Sequence, residues 1–284
     1  MGSELKGAPG QPLGAHAPRL LGQVAIVTGA GRGFGRAIAR RLAAEGAAVT
    51  VTARTRAQID DTVAEIESAG GAGLAVTADV TNRENVERVV HETRERFGHI
   101  TLVVNNAGVP DPFGPIWAVD PQKWWDAQGV HIRAPMLFLN CVLPAMIDAR
   151  AGRFILVSAI ASHRTAPNLS AYCVGKTAQV RLAQLVASET KEHNVSVFAI
   201  DPGFVFTALA EQTMNSPDAQ AWLPGMVQRL RERKSAPGGD RDLARCAQRC
   251  VDLASGAYDG LSGNYMELDD DLDAWLRGSP PATR

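Results

Sequence analysis

Short apolar runs alternate along the chain with stretches whose apolar residues recur every three or four positions. Val24-Ala-Ile-Val-Thr28 is a run of the first kind and predicts a buried strand. Phe34, Ile38 and Leu42 then recur at helical spacing, with Arg36, Arg40 and Arg41 turned outward. Ala48-Val-Thr-Val-Thr52 is the next strand, and Leu74-Ala-Val-Thr77 the third. Thr55 and Gln58 form a capping-box pattern at the start of a second helix. Thr81 and Glu84 form another, ahead of Val86, Val89, Val90 and Phe97 on one face. Further strands are predicted at 101–104, 154–157 and 195–200, and long helices at 121–150 and 170–193. The segment 204–240 breaks the rhythm and shows no strand pattern. It follows a strand end, where such sheets carry a substrate-covering loop.

Strand and helix in strict alternation imply a parallel sheet covered on both faces, a doubly wound α/β domain of three layers, α/β/α. With 284 residues, 45% of them hydrophobic, the chain supports one sizeable core and hence a single domain, expected over 20–268. Residues 1–19, rich in Gly, Pro and Ala, read as a flexible arm. Residues 269–284 read as an acidic, then Pro-rich tail, with Leu268, Leu272, Trp275 and Leu276 available to dock.

Formal net charge is −1, which does not point to nucleic acid as a partner. No apolar run approaches membrane-spanning length, and the N-terminus lacks the apolar core of a signal peptide. Cys141, Cys173, Cys246 and Cys250 have neither disulfide-framework nor metal-site spacing. They read as reduced thiols in a cytoplasmic protein without a metal.

Candidate chemistry begins at Thr28-Gly-Ala-Gly-Arg-Gly-Phe-Gly35, between the first strand and the first helix. Glycines there let a pyrophosphate approach the backbone, and the helix N-terminus supplies amide N–H groups. The spacing Gly29, Gly33, Gly35 resembles the TGxxxGxG pattern of the short-chain dehydrogenase/reductase family. Four more elements carry the resemblance: Asp79-Val80, Asn105-Asn-Ala-Gly108, Tyr172-Cys-Val-Gly-Lys176 and Asp201-Pro-Gly-Phe-Val-Phe-Thr207. They match, in order, the family's adenine contact, NNAG, YxxxK and PGxVxT.

The resemblance implies a Rossmann-like fold and a nicotinamide cofactor. Its binding residues would be Gly29, Arg32, Gly33, Phe34, Gly35, Arg54, Asp79, Val80, Asn106, Ala107, Gly108, Tyr172, Lys176, Pro202, Gly203, Val205 and Thr207. It also implies pairing of the two long helices between subunits, giving a homodimer or homotetramer. The choice of NADP(H) over NAD(H) rests on charge. Ala53 stands where an acidic residue would bind the ribose hydroxyls and repel a 2′-phosphate, and Arg54 and Arg32 offer guanidinium groups to that phosphate.

In the family, the tyrosine is the acid/base, and the lysine lowers its pKa and holds the ribose. Tyr172 and Lys176 keep the spacing. The serine position, thirteen residues before Tyr172, holds Ala159, and the asparagine position, seven after Trp124, holds His131. Ser158, Ser162 and His163 are possible replacements for the missing donor. His131 is a further catalytic candidate, as proton relay or oxyanion donor, the alternative being a packed helix histidine. Trp117, Trp124, Phe204, Phe206, Met214, Trp222, Leu223 and Met226 supply candidates for an apolar cleft.

Three functions remain open. One is NADP-dependent oxidation or reduction of a carbonyl/alcohol pair on a small, largely apolar substrate. Another is non-redox chemistry (isomerisation, elimination or cyclisation) with the nucleotide as scaffold. The third is a regulatory protein that binds NADP(H) without turnover.

Overall fold

The computed structural model describes residues 17–236, 238 and 240–279. Seven parallel strands form one sheet in the order β3-β2-β1-β4-β5-β6-β7. They are β1 (Val24–Thr28), β2 (Ala48–Ala53), β3 (Ala72–Thr77), β4 (Leu102–Asn105), β5 (Gly152–Val157), β6 (Val195–Ile200) and β7 (Tyr265–Met266). The helices are α1 (Gly33–Ala44), α2 (Arg56–Ser68), α3 (Arg83–Phe97), α4 (Pro121–Gln128), α5 (Ala134–Ala149) and α6 (Ser170–Thr190), then α7 (Ala208–Asn215), α8 (Pro217–Trp222), α9 (Pro224–Ser235), α10 (Arg241–Ala254) and α11 (Leu272–Leu276). This is the doubly wound Rossmann-like sheet that the alternation implies. Strand order reverses between β1 and β4, and the crevice at their carboxyl ends is where such sheets bind ligands.

Each sheet face has its own core. Ile38, Leu42, Ile59, Cys246, Cys250 and Val251 cover one face, joined by Leu272 from the tail and, partly buried, by Leu268 and Trp275. Leu276 stays half-exposed. Val86, Val90, Phe138, Met146, Val180 and Val186 cover the other face. Each such large side chain contributes about 1.5–3 kcal/mol by leaving water. A small third cluster of Phe113, Leu169, Ala219 and Val227 lies under α8 and α9.

Several boundaries differ from the sequence expectation. The strand predicted at 101–104 runs from Leu102 to Asn105, with Thr101 just before it bonded to Val24 through both its backbone and its hydroxyl. The two-residue β7, too short for a pattern, completes the edge beside β6. Neither capping box forms. Thr55 occupies the N-cap of α2 without a side-chain bond. Gln58 lies against Gly31 instead, where a Cβ on Gly31 would come within 2.8 Å of it. Thr81 is held by Asp79, through its hydroxyl at 2.7 Å and its N–H at 2.9 Å. Helix α3 therefore starts one residue later and is capped by Asn82, which accepts from the Asn85 N–H at 2.9 Å.

The single helix expected over 121–150 is interrupted by a π turn at Gly129–Arg133. Pro135 has no N–H to give the His131 carbonyl in an α-helical ladder. That carbonyl accepts from Gln179 Nε2 at 2.9 Å. The run Pro121–Ala149 is, by length and composition, apolar enough to cross a membrane, contrary to the sequence expectation. Its buried side chains, Leu137, Phe138, Leu139, Val142 and Met146, fill the second core.

Residues 1–16 and 280–284, which hold most of the expected arm and the end of the expected tail, lie outside the described residues. Arg19, assigned to the arm, is anchored: its N–H bonds Glu45 and its guanidinium bonds Asp252 at 2.7 Å.

Candidate active site

The site forms where the carboxyl ends of β1, β4, β5 and β6 meet α6. At the reversal of strand order, the Thr28 hydroxyl accepts from the N–H groups of Asn106 and Ala107, both at 3.0 Å. Asn106 Nδ2 donates to the Thr28 carbonyl at 3.0 Å. The glycine loop and the NNAG segment are thus fastened to each other.

The glycines are required sterically. Gly29 and Gly33 have φ of 63° and 56°, the left-handed region. A Cβ on Gly35 would stand 2.3 Å from the Gly29 carbonyl oxygen. Gly33 also approaches Thr207, so the loop and the start of α7 adjoin. Such a cradle of bare backbone at a helix N-terminus fits a pyrophosphate. Arg32 and Arg54 are exposed, and neither forms an ion pair among the described residues. Their neighbours Arg36 and Arg56 are tied to Glu65 and Asp60. Burial raises the Asp79 carboxyl, but the two Thr81 bonds and the Arg54 charge together hold it below its ordinary value. Val80 is buried in the second core. Pro202 and Val205 are buried, and Gly203, with φ of 84°, brings the Phe204 N–H to Asp242 at 3.1 Å. Phe34 packs against the first core.

Tyr172 and Lys176 lie one turn apart on α6, with Lys176 Nζ 5.7 Å from the Tyr172 ring centroid. Lys176 is buried, and its Nζ donates to the Val157 carbonyl at 2.7 Å and to Gln179 Oε1 at 3.2 Å. Burial pulls its pKa down to about 7, against the favourable charge of Asp201. The expected lowering of the tyrosine pKa does not appear in this geometry. Burial, followed by the negative charge of Asp201, pushes Tyr172 above its ordinary value. The residues hold the phenol in its protonated form.

His131 is fully buried in the π turn, edge-on to Tyr172 with ring centroids 5.5 Å apart. Its Nε2 lies 3.0 Å from the Val109 carbonyl. A carbonyl only accepts, so Nε2 carries the proton, and Nδ1 is left as an acceptor without a hydrogen-bond partner. Burial, then the Lys176 charge, lowers the His131 pKa to about 3, so the ring is neutral. The oxyanion-donor role considered for His131 does not fit: its one N–H is committed. A Cβ on Gly175 would strike the His131 side chain at 2.6 Å, so α6 packs directly on the π turn.

Ala159 ends the β5 edge in extended conformation with φ −172°. Two of the three proposed replacements have their hydroxyl committed elsewhere, and the third is exposed. Ser158 Oγ donates to the Lys176 carbonyl at 2.9 Å. Ser162 Oγ donates to the Ala159 carbonyl at 2.7 Å. His163 is exposed, with its ring against Tyr265. Two side chains here were not singled out from sequence. Asp201 accepts from the Ile160 N–H at 3.1 Å and fixes the turn after Ala159. Gln179 links Lys176 to the π turn. A polar residue on the buried side of a helix, three after the lysine, was the available signal for Gln179.

Of the apolar cleft candidates, Met214, Leu223 and Met226 pack with Tyr172 on the small third cluster. The Trp222 carbonyl accepts from Asn168 at 3.0 Å, and its ring stands against Gly114. Trp124 bonds Ser170 at 3.1 Å, whereas Trp117 projects into solvent, 86% exposed. Phe204 and Phe206 lie beneath Arg233 and Lys234 of α9. The described residues contain no cluster of His, Cys, Asp and Glu able to hold a metal.

A glycine cradle at the strand-order reversal, with a Tyr/Lys pair on the helix beyond β5, is the arrangement of a Rossmann-like α/β fold of the dehydrogenase class. The short chain dehydrogenase family model matches residues 23–218, and the chain belongs to that family, whose members bind nicotinamide cofactors. A short chain dehydrogenase of Pseudocercospora fijiensis is 30% identical over 265 residues, 91% of this chain and 84% of that protein. An uncharacterised NAD-dependent oxidoreductase of Mycobacterium tuberculosis is 32% identical, covering 90% of this chain and 98% of its own. Among solved structures, a metagenomic short-chain oxidoreductase in complex with NADP superposes with a TM-score of 0.69 at 28% identity, covering 88% of this chain and 96% of that one. NAD+-bound xylitol dehydrogenase gives 0.75 at 25% identity, covering 87% and 98%.

Proposed function

We propose that the protein is an NADP(H)-dependent oxidoreductase acting on the carbonyl/alcohol pair of a small, largely apolar substrate. The observation that carries this reading is that the segment fastened to the glycine cradle reaches the Tyr/Lys pair: Asn106 bonds the Thr28 carbonyl, and a Cβ on Gly108 would stand 3.8 Å from Lys176 Nζ. NADP(H) is favoured by Ala53, where no carboxylate stands to repel a 2′-phosphate, and by Arg32 and Arg54, which are exposed and form no close ion pair among the described residues. Arg32 and Arg54 would hold the 2′-phosphate, and Gly29, Gly33, Gly35 and the α1 N-terminus the pyrophosphate. When bound, the nicotinamide supplies or accepts the hydride.

The residues suit the reducing direction. Tyr172 is kept protonated and gives its proton to the substrate oxygen as negative charge develops there. The Lys176 ammonium stabilises the phenolate that remains. Neutral His131 holds the Val109 carbonyl in place and packs against the Tyr172 ring. The helices α7–α9 cover the substrate. The test is an assay that follows NADPH absorbance and product together on a panel of apolar ketones. Equimolar loss of NADPH and gain of alcohol supports the reading; product without nucleotide consumption overturns it.

A second reading, non-redox chemistry with the nucleotide as scaffold, draws on one observation. Ala159 leaves the substrate oxygen without the usual hydroxyl donor, and Ser158 and Ser162 are both committed elsewhere.

We place the protein in the cytoplasm, with its four cysteines as free thiols. We propose a homodimer or homotetramer built on α5 and α6, where Met136, Val174 and Leu185 are exposed. Light scattering is expected to give at least twice the monomer mass at micromolar concentration, and a monomer there would refute the assembly.

A further inference from the structure

Gln179 is buried on α6, 1% exposed, three residues after Lys176. Both ends of its carboxamide are used. Oε1 accepts from Lys176 Nζ at 3.2 Å, and Nε2 donates to the His131 carbonyl at 2.9 Å. The chemistry of the two partners fixes this orientation, since an ammonium only donates and a carbonyl only accepts. A buried amide is costly unless bonded, and an apolar residue would satisfy packing alone. Here both bonds run to the site.

The surroundings of Lys176 make its acceptors important. Its ammonium is out of water, and Val157 and Gln179 supply the oxygen acceptors it reaches. Of the titratable groups facing it, Tyr172 on its own helix is a protonated phenol, and His131 in the π turn is neutral. Asp201, beyond β6, is the one that supports its charge. The Gln179 bond to the π turn rests on a backbone feature, because Pro135 cannot donate to the His131 carbonyl in an α-helical ladder. Glutamine, proline and histidine therefore form one arrangement around the lysine.

We propose that Gln179 is a positioning residue for Lys176. It presents a fixed carbonyl dipole to the ammonium and couples the lysine to the π turn that carries His131. A side chain thereby does what asparagine and water would otherwise do beside the lysine. This rests on the reading of Lys176 as the partner of Tyr172.

The experiment compares Gln179→Met, of similar length but without either hydrogen bond, with Gln179→Glu, which keeps an acceptor and adds charge. Lysine-selective isotope labelling and NMR titration of the nucleotide-free protein report the Lys176 midpoint directly. Loss of the acceptor disfavours the ammonium, so Gln179→Met is expected to lower the midpoint by about one pH unit, and Gln179→Glu to raise it. The alkaline limb of the kcat–pH profile is expected to move in the same directions, with little change in KM. A purely structural tie would lower the melting temperature of the Met variant and leave its Lys176 titration in place, which overturns the proposal. Should the Met variant fail to fold, Gln179→Asn, too short to hold both bonds, replaces it under the same criterion. Failure of the wider reading is distinguishable. A Tyr172→Phe enzyme that keeps full turnover removes the acid/base assignment, whereas an inactive one beside an unmoved Lys176 titration removes only the role of Gln179.

Discussion

The two sides of the crevice were built under different constraints. On the nucleotide side, position is set by backbone. Gly29 and Gly33 take left-handed φ values, Gly35 leaves no room for a Cβ, and Thr28 bonds two consecutive N–H groups of the next segment. On the substrate side, position is set by side chains from distant segments. His131 reaches back to Val109, Gln179 bridges α6 to the π turn, Asp201 holds Ile160, and Ala159 offers nothing. A backbone cradle tolerates almost no substitution. A set of side-chain contacts can exchange members while the sheet stays the same, and Ala159 and His131 both lie on that side.

The contrast can be tested from the largest effect downward. Tyr172→Phe keeps the ring and removes the proton. Turnover is expected to fall by about 100- to 10,000-fold, the range for a general acid, with the Kd for NADPH nearly unchanged. Steady-state kinetics beside nucleotide fluorescence titration would check both. If affinity fell in step with turnover, the two sides would not be separable. Ala159→Ser restores the hydroxyl. If the site lacks only that donor, ketone reduction is expected to rise by up to about 100- to 1,000-fold. A fall in the native reaction would mean that substrate occupies the space beside Ala159, favouring the non-redox reading.

Arg54→Asp tests the nucleotide side alone. Loss of a charge-assisted bond of about 1.5–3 kcal/mol corresponds to about 10- to 150-fold weaker NADP(H) binding, with NAD(H) little affected. Equal changes in the two dissociation constants would remove the case for NADP(H). The last effect concerns stability and not the site's chemistry. His131 has a folded pKa of about 3, against about 6.5 in an unfolded chain. Between those values the unfolded chain binds a proton that the folded chain does not. Stability is therefore expected to fall as pH drops from about 6.5 towards 3, the His131 share approaching about 1.4 kcal/mol per pH unit. His131→Asn should flatten the denaturation-derived slope by that share, and an unchanged slope would show that the histidine protonates in place.

The same contrast explains what could be read from sequence. Buried parallel strands announce themselves as apolar runs, and six of the seven lie where those runs fall. The glycine loop was legible because steric need leaves glycine little alternative. The capping boxes failed because Gln58 and Thr81 had partners across the fold, against Gly31 and at Asp79, that no local spacing reveals. The π turn was hidden for a similar reason. The apolar pattern over 121–150 runs continuously, and Pro135 only hints that the His131 carbonyl must find another donor. Tyr172 and Lys176 could be found by spacing, but the direction in which burial and Asp201 shift them could not.

The small cluster beneath α8 and α9 has a consequence for how this enzyme type diversifies. Phe113, Leu169, Ala219 and Val227 form a patch separate from the two cores that hold the sheet. A segment seated on its own few residues can be exchanged with little penalty to the scaffold. Chimaeras that swap residues 208–235 together with Phe113 and Leu169 should inherit the donor's substrate range while keeping this chain's thermal midpoint. In a lineage, the covering segment would then drift faster than the glycine loop, and new specificities would arise there first.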